Sequence, residues 1–307
     1  MKLTADDARE ILRERGHDAR DVLALTGGLW SAAFAFTEAE RGYVVRFHDR
    51  RDDLEKDRFA ERWASPSLRT AHIVEISDFR SGGLGISERV RGTPLDDLDE
   101  AGMRRVLPSL LRTLDAAREA DLSGTAGYGL WHGDGNGVHA TWLDNLVRGE
   151  PPGERTAQRA RLAHSRIGAG AFDAGFARIH ELAPYRSEER HLVHNDLLNF
   201  NVLADDEGVV LLDWGASIYG DFLYDIALMT FWWPYPLYAK WKNIDVRREV
   251  ERHYATIGLD VPHMRERLRC CELDIGVSSI AFQAGQERWD DAAWTARHVV
   301  DVASAPL

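Results

Sequence analysis

One short run of polar residues constrains this chain more than any other feature of its sequence. His194, Asp196 and Asn201 stand in the pattern H-x-D-x-x-x-x-N directly after an apolar stretch. A second apolar run, residues 209–212, ends at Asp213. An H-x-D pair alone is common in turns and helix caps, but this joint spacing of polar residues and apolar runs is much rarer. The pattern therefore indicates a built site.

These residue types match what phosphoryl transfer from ATP requires of a protein. A carboxylate must hold the acceptor hydroxyl and accept its proton, while oxygen ligands hold magnesium on the phosphates. We predict that Asp196, which would accept the proton, and His194 are the catalytic residues, and that Asn201 and Asp213 bind Mg²⁺. Protein kinases use the same spacing in their H-R-D and D-F-G motifs.

The N-terminal region predicts a nucleotide site. Gly27, Gly28 and Ser31 form a turn before two predicted strands, residues 32–37 and 42–47. Glycines in such a turn let backbone amides approach phosphate, and Ser31 adds a hydroxyl donor. A plain hairpin explains two adjacent glycines equally well.

Arg46 is the expected phosphate ligand of the second strand. Alternation places Val45 and Phe47 on one face and Arg46 on the other, and a guanidinium can hold phosphate oxygens. A predicted helix over residues 54–64 carries several acids. We expect Glu55 to pair with Arg46, with Asp57 as the second choice, whereas a solvated charged face is the alternative.

Two further strands, residues 73–79 and 84–90, are predicted to complete a small sheet that ends at a hinge near residues 87–92. Backbone groups of this hinge are expected to bind adenine. The residues concerned are Ser87, Glu88, Arg89 and Val90. We therefore predict a nucleotide-binding lobe over residues 1–91 and a catalytic, acceptor-binding lobe over residues 92–307.

The second lobe is predicted to be mainly helical. Its expected helices are residues 101–120, 172–182, 222–231, 246–257, 264–286 and 289–303. Residues 124–153 are rich in Gly, His, Asp and Trp and are predicted to be irregular. The resulting fold class is α+β, with a small N-terminal β-sheet lobe that includes a helix and a larger helical C-terminal lobe.

An aromatic segment follows the catalytic motif. Trp232 and Tyr235 stand where prolines end a predicted helix, and exposed aromatic rings there could stack on sugar rings, although core packing explains some of them. We take Trp232, Tyr235 and Asp225 as candidate acceptor ligands. Asp221 is interpreted as structural, because in kinase-like folds an Asp near this position braces the catalytic loop.

Composition narrows the class of partner. The chain has 307 residues and a net charge of −12, so nucleic acid is a poor partner and a cationic small molecule is a better one. No apolar run reaches the ~18 residues of a membrane helix, and no signal peptide is recognisable at the start. We expect a cytoplasmic monomer, with the adjacent Cys270 and Cys271 in a packing role.

The residues resemble the aminoglycoside phosphotransferase family. The pieces that carry the resemblance are Gly27-Gly28 with Ser31, Glu55-Lys56-Asp57, His194-x-Asp196 with Asn201, Asp213-Trp214 and Gly220-Asp221. Shared runs outside these motifs, such as Arg41-Gly42-Tyr43-Val44 and Asp290-Asp291-Ala292-Ala293-Trp294, are similar to the branch of the family that modifies hygromycin B.

The resemblance implies a bilobal, protein-kinase-like fold and an O-phosphotransferase that uses ATP and Mg²⁺. It implies an aminoglycoside or aminocyclitol acceptor, hygromycin B above all, and hence antibiotic resistance. Relatives in that branch place aromatics matching Trp232 and Tyr235 at the drug pocket. This chain has Tyr235 where they have Trp and Trp233 where they have Arg, which leaves the acceptor open.

Three alternatives remain from the sequence. The acceptor could be a metabolite such as choline, homoserine or a sugar amine. The chain could instead be a catalytically silent nucleotide-binding regulator, although each phosphate- and metal-handling position holds a competent residue. A protein kinase is disfavoured, because the irregular segment and the aromatic segment would crowd the surface where a peptide lies.

Overall fold

A computed structural model of the chain describes residues 3–25, 30–149 and 153–307. The chain forms two compact units. The first unit comprises Met1–Leu98, His132–Gly135 and Leu198–Ala216. The second unit comprises Asp99–Trp131, Asn136–Leu197 and Ser217–Leu307. The predicted lobe boundary after residue 91 stays a prediction.

The elements of the described residues are numbered in chain order. The strands are β1 (Arg20–Ala24), β2 (Ser31–Glu38), β3 (Arg41–His48), β4 (Arg69–Thr70), β5 (Ile73–Phe79), β6 (Gly82–Glu88), β7 (Thr93–Pro94), β8 (Tyr128–Trp131), β9 (Gly137–His139), β10 (His191–Val193), β11 (Val202–Asp205), β12 (Gly208–Leu211) and β13 (Ile218–Gly220). The α-helices are α1 (Ala5–Glu14), α2 (Arg51–Ala60), α3 (Glu100–Arg118), α4 (Trp142–Arg148), α5 (Glu154–Ala163), α6 (Gly170–Leu182), α7 (Leu223–Trp232), α8 (Val246–Ile257), α9 (Met264–Gly285) and α10 (Trp289–Ser304).

The first unit is built on a five-stranded antiparallel sheet in the order β1-β2-β3-β6-β5. Val45 and Phe47 of β3 are fully buried on one face, as their alternation predicts. Helix α1 covers that face with the buried Leu12. The helix begins at a capping box, in which the Thr4 hydroxyl accepts from the Asp7 N–H at 3.1 Å and the Asp7 carboxylate accepts from the Thr4 N–H at 2.7 Å.

A second sheet in the first unit has the order β4-β12-β11-β7. Its centre is the antiparallel hairpin of β11 and β12, whose turn is fixed from outside by an ion pair. The Arg69 guanidinium donates to both carboxylate oxygens of Asp205 at 2.8 and 2.7 Å. Such a two-pronged pair gives the turn a defined orientation.

The second unit is mainly helical, with a four-stranded sheet in the order β10-β13-β8-β9. Helix α9 is its centre and packs against α6, α7 and α10. Cys270 and Cys271 of α9 are both buried and unbridged, consistent with the expected packing role. No helix in the described ranges is long and apolar enough to cross a membrane.

The irregular structure expected over residues 124–153 is wrong for much of that segment, which contains β8, β9 and α4. The glycines that suggested irregularity instead permit close strand pairing. A Cβ atom on Gly137 would lie 2.7 Å from the Tyr128 backbone nitrogen. This is a steric clash that paired backbone cannot move to relieve. Helix α5 directly after this segment was not predicted.

Helix α9 supplies a matched pair of glycines that tests its packing. A Cβ on Gly276 would lie 2.9 Å from the Phe231 ring and closer still to a Val299 methyl, whereas a Cβ on Gly285 meets nothing within 4 Å. We expect Gly276→Ala to lower the free energy of unfolding by about 1–3 kcal/mol through overpacking. Gly285→Ala should stay within about 0.5 kcal/mol of the parent chain. Urea denaturation measures both, and equal stabilities would contradict this account of α9.

Candidate active site

The hairpin of β11 and β12 brings the two predicted metal ligands to one end of a sheet. Asn201 directly precedes β11, and Asp213 follows β12 after one intervening residue. The Leu212 N–H donates to the Asn201 carbonyl oxygen at 2.7 Å, which extends the ladder past the last paired residues. The ends of paired strands therefore place both residues together, as their sequence spacing predicts.

Asp213 has an unusual backbone that its neighbours hold in place. Its φ is 59°, in the left-handed region that non-glycine residues rarely enter. The next N–H, that of Trp214, donates to Asp57 Oδ1 at 2.8 Å. Arg46 pairs with Asp57 and lies 3.0 Å from the Asp213 carboxylate. Two ties to the segment therefore come from β3 and α2.

The expected pair of Arg46 and Glu55 is wrong, because Asp57 takes that position. Glu55 instead accepts from Arg51 one helical turn earlier, at 2.9 and 3.1 Å. The reason is helix geometry: residues two apart on a helix of 3.6 residues per turn point to nearly opposite sides. Only one of the two acids could face β3.

A cavity of about 310 Å³ lies in the first unit. The predicted nucleotide residues on its wall are Ser31, Arg46, Ser87, Glu88, Arg89 and Val90. Glu55 is not on this wall, and Gly27 and Gly28 lie outside the described residues. Apolar side chains with a few polar groups among them are the usual lining of a small-molecule site.

Asn201 and Asp213 also line this cavity. Asn201 is 4% exposed, and 29% of the Asp213 side chain is exposed. An amide and a carboxylate are hard oxygen donors, which suit Mg²⁺. Within residues 3–25, 30–149 and 153–307, no cluster of three or more His, Cys, Asp or Glu side chains forms a metal site. A sparse donor set fits Mg²⁺, which keeps waters and phosphate oxygens as its other ligands.

The predicted catalytic loop belongs to the second unit and follows β10. Its backbone is held by Asp225 of α7, whose two carboxylate oxygens accept from the N–H groups of His194 at 2.9 Å and Asn195 at 2.8 Å. Asn195 has a left-handed φ of 62°. Asp225 is only 3% exposed, and this burial raises the pKa of its carboxyl from 3.8 to about 6, although both backbone N–H groups lower it.

These contacts correct two predicted roles. Asp225 is not an acceptor ligand, because it is buried and both of its oxygens serve the loop backbone. His194 is 0% exposed, so its ring is not open to a substrate and the predicted catalytic role is wrong. Asp196 is only partly buried. It is thus the member of the H-x-D pair that a substrate can reach.

Asp221 is structural, as predicted, but its partner differs from the expected one. Its carboxylate accepts two hydrogen bonds from Arg267, each 2.8 Å long, in the buried interior of the second unit. The pair joins α9 to the start of α7. The bracing of the catalytic loop expected of Asp221 is carried out by Asp225.

The aromatic cluster of the second unit consists of Trp232, Tyr235 and Trp294. The Trp232 and Trp294 rings stack with centroids 5.9 Å apart, and Tyr235 stands edge-on to Trp294 at 4.9 Å. The Tyr235 hydroxyl donates to Asp291. The pKa of Tyr235 is raised to about 12, mainly because the group is partly buried and also because the Asp291 carboxylate accepts its proton in a hydrogen bond. All three rings are partly exposed.

Trp233 follows the core-packing alternative. It is 7% exposed, and its indole N–H donates to the Ile244 carbonyl at 3.0 Å. Trp233, two positions before Tyr235, therefore packs in the core and is not part of the aromatic cluster.

The comparisons with known proteins agree with this site. A family model described as the phosphotransferase enzyme family, APH, matches residues 21–257. Hygromycin-B 4-O-kinase of Escherichia coli is 31% identical over 299 residues, covering 95% of this chain and 83% of that protein. The chain belongs to the phosphotransferase enzyme family.

Two solved structures support membership of the family. The crystal structure of aminoglycoside phosphotransferase APH(4)-Ia matches with a TM-score of 0.85 at 28% identity, covering 99% of this chain and 100% of that chain. A thermostable mutant of the same protein, in a ternary complex with AMP-PNP and hygromycin B, matches with a TM-score of 0.83 at 29% identity, covering 96% and 97%. The predicted kinase-like fold and the predicted phosphotransferase class are therefore confirmed.

Sequence reasoning missed the positions of Lys56 and Trp294 in this family member. Trp294 was noted only as part of a shared run, although its ring contacts both predicted aromatics. Lys56 is 0% exposed, and fully buried lysines are rare in proteins. The signal for Lys56 is its spacing: Asp53, Lys56, Asp57 and Ala60 follow the i, i+3, i+4, i+7 order of a buried helix face.

The brace at Asp225 yields a prediction about pH. Since the folded pKa of Asp225 lies above its ordinary value, folding favours the protonated form. Its contribution to stability is complete below about pH 4 and is lost as pH rises through about 6. The ionised form, however, is the one that accepts both loop N–H groups, so the brace is present above pH 6.

We expect Asp225→Asn to lower kcat by up to about 10²-fold, because one amide N–H would face a backbone N–H and displace the loop. The acid limb of the kcat profile near pH 6 should also disappear. Rate profiles and melting curves over pH 4–8 measure both effects, with the exposed Asp260→Asn as control. A variant that keeps the parental kcat and acid limb would contradict the brace.

Proposed function

We propose that this chain is an ATP- and Mg²⁺-dependent O-phosphotransferase that modifies a hydroxyl of hygromycin B or a closely related aminocyclitol. The observation that carries the proposal is the 31% identity to hygromycin-B 4-O-kinase over 95% of this chain. The acceptor name in the ternary complex of APH(4)-Ia points to the same drug. Phosphorylation adds bulk and negative charge to a cationic drug that must fit a ribosomal site, which would give resistance.

The nucleotide roles are assigned to the cavity of the first unit. Arg46 would hold phosphate oxygens, and Asn201 with Asp213 would hold Mg²⁺ on the phosphates. The metal supplies charge neutralisation on the transferring group. Ser31 and the backbone of residues 87–90 lie on the same cavity wall and would bind the rest of the nucleotide.

The protein itself supplies positioning more than covalent chemistry. Asp196 would accept the proton of the acceptor hydroxyl as that oxygen bonds to the γ-phosphorus, while the bond from this phosphorus to the bridging oxygen breaks and ADP leaves. The Asp225 brace holds the loop that carries Asp196, through the two backbone N–H groups that precede it. Placement of the carboxylate thus depends on a buried acid that does not itself react.

The acceptor side is assigned to the aromatic cluster of Trp232, Tyr235 and Trp294. Aromatic faces suit the apolar faces of sugar rings, and the net charge of −12 suits a cationic drug. We also propose that the enzyme acts as a cytoplasmic monomer without nucleic acid. A light-scattering mass well above the 34.6 kDa of one chain would overturn the monomer.

The experiment that tests the function is ADP release with Mg-ATP across an acceptor panel. The panel contains hygromycin B, kanamycin, streptomycin, choline and homoserine. Turnover that depends on hygromycin B with a micromolar KM supports the proposal, and mass spectrometry of the product then places the phosphate. Turnover on choline or homoserine alone would overturn the drug acceptor and favour a metabolite kinase.

Asp196→Asn tests the assignment of the base. We expect a loss of roughly 10²–10⁴ in kcat, as for removal of a general base, with the melting temperature and nucleotide affinity unchanged. Steady-state kinetics and a binding titration measure these quantities, and the exposed Asp206→Asn serves as control. A rate within a few-fold of the parent would remove Asp196 from this role.

Trp232→Ala tests the acceptor assignment. We expect the KM of hygromycin B to rise by about 10-fold or more, because the truncation removes a large ring from the proposed pocket and a loss of about 1.4 kcal/mol of binding free energy is tenfold in affinity. The KM of ATP should stay the same. Tyr185→Ala, which removes a ring 40% exposed outside the cluster, is the control. Equal changes in both KM values would make Trp232 a core residue.

A further inference from the structure

Helix α2 buries charges where a helix of this length normally buries apolar side chains. Asp53, Lys56 and Asp57 are 7%, 0% and 8% exposed, and only Leu54 and Ala60 are apolar buried residues of the helix. Removing a charged group from water costs several kcal/mol unless partners compensate it. Three buried charges on one face of α2 therefore need partners, and those partners indicate the role of that face.

That face contacts the segment Asp213–Gly215, residue by residue. The Lys56 ammonium donates to the Gly215 carbonyl oxygen at 2.7 Å. Asp57 accepts from the Trp214 N–H at 2.8 Å. A Cβ atom on Gly215 would lie 3.2 Å from the Asp53 Cβ, so α2 packs directly on this backbone. The first and the third peptide groups after Asp213 are therefore tied to one helix.

The ties act on a backbone that needs them. The φ of 59° at Asp213 is unfavourable for a non-glycine residue and persists only where surrounding contacts over-determine it. The Asp57 bond fixes the amide that follows Asp213, and the Lys56 bond fixes the carbonyl two residues on. Without the second tie, the segment could rotate about the first.

We propose that Lys56 is a positioning residue that holds Asp213 in its metal-binding conformation. The inference rests on the proposed function, since it deepens the role given there to Asp213. Lys56 is not among the residues of the cavity wall, whereas Asp57 and Asp213 are. Its effect reaches the metal through the Gly215 carbonyl.

A structural role and a positioning role predict different results for Lys56→Met. Methionine has a similar volume, and exchanging a buried charge for a well-packed apolar residue is often neutral or stabilising. A positioning residue behind a metal ligand, by contrast, typically contributes 10–100-fold to metal affinity or activity. The methionine variant therefore separates stability from metal use.

The experiment measures ADP binding by calorimetry at a series of Mg²⁺ concentrations and in EDTA, alongside the melting temperature. We expect Lys56→Met to need about 10–100-fold more Mg²⁺ for the same tightening of ADP. ADP affinity in EDTA and the melting temperature should stay at or above parental values. In turnover, kcat should fall while the KM of the acceptor stays unchanged.

Two further variants complete the design. Lys242→Met removes an exposed lysine of the second unit and should behave as the parent. Lys56→Gln keeps a hydrogen-bond donor but removes the charge. Lys56→Gln should therefore need less additional Mg²⁺ than Lys56→Met. If Lys56→Met does not fold, Lys56→Gln takes its place in the experiment.

Each outcome decides the inference. Parental Mg²⁺ dependence in the Lys56 variants would overturn it, as would a loss of ADP affinity in EDTA that parallels a fall in melting temperature. If the parent binds Mg-ADP but phosphorylates no acceptor of the panel, the drug acceptor fails and the binding data still decide the role of Lys56. A parent with no Mg²⁺-dependent tightening would overturn both.

Discussion

The ion pair of Arg46 and Asp57 is the interaction on which the first unit depends. It joins β3 to α2, and the same two residues reach the Asp213 carboxylate and the Trp214 N–H. A sheet, a helix and a hairpin thereby meet at one buried cluster of charges. Because a guanidinium has several donors in a fixed plane, one arginine can serve both acids. The hairpin brings the candidate metal ligand Asp213 next to Asn201, and this arrangement then fixes its backbone and carboxylate.

The second unit solves a similar problem with a different partner. Its loop before Asp196 is held by a single buried carboxylate, that of Asp225, whose two oxygens match two successive N–H groups. The acid lies in the first turn of α7, so the helix and the loop it follows are fixed to each other. In both units a buried carboxylate accepts from a backbone N–H beside a candidate site carboxylate, Asp213 or Asp196, and that candidate itself stays partly exposed.

Much of the fold followed from the sequence, because long periodic segments carry their own signal. Strand β5 and helix α8 have the predicted bounds, and the buried face of β3 follows its alternation. The proximity of Asn201 and Asp213 was predictable from their spacing for the same reason, since the hairpin between them brings its two ends together. The site therefore was predictable wherever local geometry alone fixes which residues meet.

The failures occurred where tertiary packing decides between chemically equal residues. Glu55 and Asp57 are both acids on α2, and only the direction of the helix face selects Asp57. Asp221 and Asp225 likewise stand one turn apart in the chain, and only the buried Arg267 shows which one is engaged elsewhere. Composition does not distinguish such pairs, and spacing does so only once it is known which face of the helix is buried.

The contacts that organise the proposed acceptor cluster are separate from those that organise the proposed phosphate cavity. Acceptor specificity can therefore change without loss of the phosphate chemistry. The aromatic cluster is organised by contacts inside the second unit: Trp232 stacks on Trp294, and Tyr235 is oriented by Asp291. Tyr235 supplies both a ring and a hydroxyl that the Asp291 carboxylate fixes. None of these contacts involves the cavity that Arg46 and Asp213 line. Selection on the acceptor can therefore act on rings and their partners while the buried charges that orient the catalytic backbone remain unchanged.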